Sequence, residues 1–185
     1  METNTINQID WDKAYSIDAY PFNLIQVITD FFFLEPNGYL VISDSNTTPM
    51  DEDIEKIIKK VAILNPNFNI SDGGVVEPLY KYAENFKALS GNWEPKELKK
   101  VLYFIQLTKG NVETLVKELN IEKSEEYGTL AFFADWVSYF KGGHMLIDVV
   151  HANDGCNEQM HLSKKLSKSK VIQLFESKGL KVNNT

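Results

Sequence analysis

The segment that most constrains the fold runs from His144 to Val150, seven mostly apolar residues rich in β-branched side chains. Gly142-Gly143 precedes it, and Asn153-Asp154-Gly155 follows shortly after it. A short apolar run of this kind between turn residues is typical of a β-strand. We therefore predict a strand at 144–150.

The sequence predicts a β-hairpin at 31–44, in which Pro36-Asn37-Gly38 separates two apolar runs. Asn-Gly between apolar runs is the strongest short hairpin signal. Upstream, Pro21–Thr29 fits a helix that begins with proline, and a strand from Leu24 into Phe33 is the alternative. Leu180-Lys181-Val182 is a candidate C-terminal edge strand.

Most other segments carry helical patterns, in which apolar residues recur every three or four positions. Thr48 and Ser167 are suited to cap two of these helices, and Gly110 and Gly179 to end two of them. The segments predicted to be helical are 10–18, 48–64, 78–89, 96–109, 111–119, 124–141 and 168–178. The predicted fold is a single α+β domain over 1–185, mostly helical, with a small sheet.

The amino-acid composition limits the classes of protein to which the chain can belong. The chain has 185 residues, a hydrophobic content of 43% and a net charge of −7, as expected for one globular domain that does not bind nucleic acid or membranes. Its basic residues are all lysine, so it lacks the arginine that forms bidentate clamps on phosphate and carboxylate groups. The single cysteine, the absence of a signal-peptide pattern and the lack of an apolar run near ~20 residues favour a cytoplasmic location.

The segment 142–162 contains every histidine and the only cysteine. His144 and His151 lie seven residues apart, which in a strand places them on opposite faces and roughly 23 Å apart, so they cannot share a metal ion. A turn can bring His151, Cys156 and His161 together, and imidazole with thiolate is a ligand set that suits zinc. These three residues are the predicted metal ligands, with zinc as the candidate ion.

The same segment suggests a hydrolase. Cys156 is a candidate nucleophile, with His151 or His161 as its base. Asp148 lies in the middle of the predicted strand on a partly buried face, where a carboxylate needs a partner. Asp44 ends another predicted strand and lies near Asp148 if the two strands are neighbours.

Residues 110–126 resemble the helix-turn-helix of Fis-type regulators. An apolar helix begins at Gly110-Asn111, and Leu119-Asn120-Ile121 stands at the turn. The resemblance implies a DNA-binding regulator. The segment in the place of the recognition helix, however, carries Glu122, Glu125 and Glu126, whereas helices that enter DNA grooves present basic and amide side chains.

The remaining interpretation is a protein-interaction domain. A small acidic chain rich in aromatic residues and without a catalytic motif suits an inhibitor or an immunity-type protein. Its negative field would speed association with a basic protein partner. The sequence indicates this function first, a metal- or Cys/His-dependent hydrolase second and a DNA-binding regulator third, and it leaves the oligomeric state open.

Overall fold

A computed structural model describes residues 9–20, 24–44, 52–64, 102–122, 134–142, 144–150 and 159–184. The strands are β1 (Tyr15–Asp18), β2 (Tyr39–Asp44), β3 (Ile63–Leu64), β4 (Leu102–Gln106), β5 (Ala134–Lys141), β6 (His144–Val150), β7 (Gln159–Leu162) and β8 (Val182–Asn183). The α-helices are α1 (Leu24–Leu34), α2 (Glu52–Lys59), α3 (Lys109–Glu122) and α4 (Lys168–Glu176), and a 3-10 turn covers Trp11–Lys13. None of the described helices is long and apolar enough to cross a membrane.

The eight strands form one sheet in the order β3-β4-β2-β5-β6-β7-β1-β8, and neighbouring strands are antiparallel throughout. The N-terminal strand β1 lies between β7 and β8, so the two ends of the described chain meet in the sheet. Within the described ranges, the edges of this sheet are β3 and β8, each with two residues. The fold is therefore a sheet-rich α+β fold, and the prediction of a mostly helical domain with a small sheet is wrong.

Two segments predicted as helices are inner strands instead. Residues 102–106 of the segment 96–109 form β4, and residues 134–141 of the segment 124–141 form β5. In β4 the consecutive residues Tyr103, Phe104 and Ile105 are all buried, although they alternate between the two faces of the sheet. A strand buried on both faces has a continuous apolar sequence, which periodicity cannot distinguish from a buried helix.

The predicted hairpin at 31–44 is wrong in its first half. Residues 24–34 form α1, and only 39–44 form a strand, β2. Asn37 has a φ of +64°, so the Asn-Gly signal marks a real reversal, but the reversal joins a helix to a strand. The helix predicted from Pro21 to Thr29 is the correct alternative where the structure describes it, and it continues to Leu34.

Other predictions have mixed outcomes. The strand at 144–150, the helices at 111–119 and 168–178 and the C-terminal edge strand are confirmed within a few residues. The helix at 48–64 is confirmed over 52–59, after which 63–64 form β3, and the helix at 10–18 is replaced by the 3-10 turn and β1. The helix predicted at 78–89 lies outside the described residues.

The main core lies between one face of the sheet and the four helices. Each helix contributes apolar residues to the same cluster as alternate residues of the strands. The strand residues on this helix-covered face include Tyr15, Ile17, Leu40, Ile42, Val137, Tyr139, Ile147, Val149, Met160 and Leu162. The alternate residues point to the second face, and they are buried as well: Ser16, Val41, Phe104, Ser138, Phe140, Met145, Asp148 and His161.

Tyr139 fixes the reversal between α1 and β2. Its hydroxyl accepts a hydrogen bond from the backbone N–H of Gly38 at 2.9 Å and donates one to the backbone oxygen of Glu35. Gly38 has no room for a side chain, because a Cβ there would lie 2.5 Å from Cζ of Tyr139. The sheet and the end of α1 are thus joined through one buried phenol.

Asp30 joins α1 to the C-terminal part of the chain. Its carboxylate accepts a hydrogen bond from the Tyr20 hydroxyl at 2.7 Å and contacts Lys178 Nζ at 2.6 Å from both oxygens. Asp30 is buried within α1, so its charge requires these partners. Burial, reinforced by the charge of Asp30, raises the pKa of Tyr20 well above its usual range, so the phenol remains a hydrogen-bond donor.

We predict that Tyr139→Phe lowers the free energy of unfolding by about 1–3 kcal/mol, because the change leaves two backbone groups at the α1–β2 reversal without their partner. Chemical denaturation monitored by circular dichroism measures the change. The matched control is Tyr39→Phe, which removes a hydroxyl from a side chain that is 39% exposed and should shift stability by under ~0.5 kcal/mol. Equal effects of the two substitutions would contradict the assigned role of Tyr139.

We also predict that Lys178→Met destabilises the protein by about 3 kcal/mol, because it leaves the buried Asp30 carboxylate without its cation. Adding Asp30→Asn should restore part of the loss, since the remaining amide is neutral. The control is Lys56→Met, which breaks the exposed pair with Asp53 and should cost at most ~1 kcal/mol. A double variant less stable than Lys178→Met alone would contradict the prediction.

Candidate functional site

A row of polar residues crosses four neighbouring strands on the second face of the sheet. The strand register places Ser16 of β1 opposite His161 of β7, His161 opposite Asp148 of β6, and Asp148 opposite Ser138 of β5. Directly opposed residues have Cβ atoms roughly 4.5–5.5 Å apart, so each side chain of this row lies beside the next. We call Ser16, His161, Asp148 and Ser138 the polar row.

The row is buried in the sheet. Ser16 and His161 are 7% and 8% exposed, Asp148 is 2% exposed and Ser138 is fully buried. Ser138 Oγ donates a hydrogen bond to Oδ1 of Asp148 at 3.1 Å, which meets part of the need of a buried carboxylate for a partner. The bonded oxygen of Asp148 therefore faces β5, and His161 is the neighbour of Asp148 on the other side of its strand, on β7.

A second set of polar residues lies where this face reaches the sheet edge. Asp18 of β1 accepts hydrogen bonds from the amide of Gln159 at 3.1 Å and from the amide of Asn183 at 3.0 Å. Asp18 is exposed, and the two amide residues are half-buried. Asp18, at the end of β1, is therefore exposed, whereas Ser16, His161 and Asp148 are all buried.

The imidazole of His161 favours its neutral form. Burial lowers the pKa of His161 below its ordinary value of 6.5, and the nearby negative charge of Asp18 opposes that effect only in part. A neutral imidazole at neutral pH can accept a proton, which an imidazolium cannot do. The strand register places this imidazole between Asp148 on one side and Ser16 on the other.

The structure brings together two of the residues predicted from sequence, Asp148 and His161, as neighbours on adjacent strands. It does not bring Asp44 to Asp148, because β5 separates β2 from β6. His151 and Cys156 lie outside the described residues, so the zinc ligands His151, Cys156 and His161 and the Cys156 nucleophile stay predictions. Within the described ranges, no three His, Cys, Asp or Glu side chains are grouped so that they could hold a metal ion.

His144 does not join the polar row. It begins β6 opposite Lys141, four residues before Asp148 along the strand. Its Nδ1 atom is buried and makes no hydrogen bond with any part of the chain that the structure describes. The histidines at 144 and 161 are therefore separate features of the sheet.

Sequence reasoning missed Ser16, Asp18 and Ser138, because it placed all three in predicted helices. Tyr15-Ser16-Ile17-Asp18 does alternate apolar and polar residues, which is the signal of a strand with two different faces. The same alternation occurs in Gln159-Met160-His161-Leu162. These patterns indicate strands, but the register that opposes Ser16 to His161 cannot be read from either segment alone.

Comparison with known proteins assigns neither a family nor a function to this chain. No family model, no curated protein and no solved structure matches the chain. The DNA-binding function also stays untested, but the turn predicted at Leu119-Asn120-Ile121 is wrong, because α3 continues through these residues to Glu122. Residues 123–133, where a second helix would lie, are outside the described residues. The function has to be argued from the charge and the geometry of the described residues.

We predict that His161 makes stability depend on pH. Because the folded-state pKa is lowered, the unfolded chain takes up a proton at this residue at a higher pH than the folded protein does. The contribution of neutral His161 to the free energy of unfolding is fully present above pH 6.5. It is lost as the pH falls from 6.5 towards the folded-state pKa. In His161→Gln, the free energy of unfolding should therefore fall less between about pH 7 and about pH 5 than in the wild type.

Urea denaturation at a series of pH values provides this measurement. The carboxylates titrate in both proteins, so the difference between the two curves isolates the contribution of His161. Parallel curves for the wild type and the variant would contradict the lowered pKa.

Proposed function

We propose that this protein is a cytoplasmic protein-interaction domain that binds a basic protein, in the manner of an inhibitor or an immunity-type protein. The observation that supports this proposal is the distribution of charge. Described residues up to position 150 include fourteen acidic residues and seven lysines. The C-terminal segment 159–184 has the reverse balance, with six lysines and one glutamate.

Three of these six C-terminal lysines contact residues in other parts of the protein. Lys170 Nζ donates to the backbone oxygens of Phe33 and Leu34 at the end of α1. Lys178 pairs with Asp30, and Lys164 Nζ lies 3.6 Å from the centre of the Tyr15 ring. These contacts hold the C-terminal segment on α1 and β1, and the excess of acidic residues in the rest of the chain supports an outward negative field.

A negative field of this kind acts mainly on the rate of association. Complementary charge steers a basic protein towards the surface and raises the association rate, and salt weakens the effect. The proposal therefore does not need one compact acidic patch. It requires a net negative charge. Because several of the acidic residues are exposed, they can be replaced to change that charge without disturbing the fold.

The test compares two charge variants. Asp12→Lys, Glu52→Lys and Glu113→Lys replace exposed acids, and together they change the net charge from −7 to −1 because each reversal adds two units. The matched control exchanges Lys109 and Glu113, which leaves the net charge at −7. A basic partner is captured on the immobilised wild-type protein at ~50 mM salt, and its association rate is then measured with each variant.

We expect the triple reversal to slow association by about tenfold or more and to flatten its dependence on salt, while the exchange variant behaves like the wild type. An association rate that is insensitive to both salt and charge reversal would contradict the proposal. Stoichiometric capture of an acidic protein instead of a basic one would also contradict it.

A further inference from the structure

We draw no further inference here: the strongest candidate, the surface patch of exposed lysines Lys164, Lys165 and Lys168 at the start of α4, rests on solvated charges beside a helix N-terminus, and no feature of the described residues shows which anion or partner would bind there.

Discussion

The burial of both faces of the sheet is the constraint on which the rest of this structure depends. Four helices cover one face, and the alternate strand residues on the other face are buried too. A polar side chain on such a strand cannot turn towards water, so it must find partners within the sheet. In the polar row, Ser138 donates a hydrogen bond to Asp148, and the strand register places Asp148 beside His161.

The same constraint decides how far the fold can be predicted from its sequence. The strand at 144–150 is recognisable because glycines and a polar turn bound a short apolar run, and α4 is recognisable because Ser167 and Gly179 flank an amphipathic pattern. Inner strands such as β4 and β5 lack the alternation of apolar and polar residues that marks a strand with one solvent-exposed face. Their apolar runs resemble buried helices, so sequence patterns underestimate the size of the sheet.

The candidate site was predictable only in its parts. Asp148 attracts attention because a carboxylate within an apolar strand needs a partner, and His161 because it belongs to a segment rich in histidine. Their contact depends on the order of strands, which brings residues from positions 16, 138, 148 and 161 onto one line across the sheet. Local sequence patterns carry no information on such long-range pairing, and the partner of Asp148 therefore could not be identified in advance.

The edges of the sheet restrict how any other protein can bind. A long, exposed edge strand offers a row of unpaired backbone groups onto which a foreign strand can add, and short edge strands remove that opportunity. With only two residues each, β3 and β8 leave a peptide few backbone donors and acceptors to pair with. Among the residues that the structure describes, the edges of this sheet are therefore poor templates for a foreign strand, and side chains are what they present to another molecule.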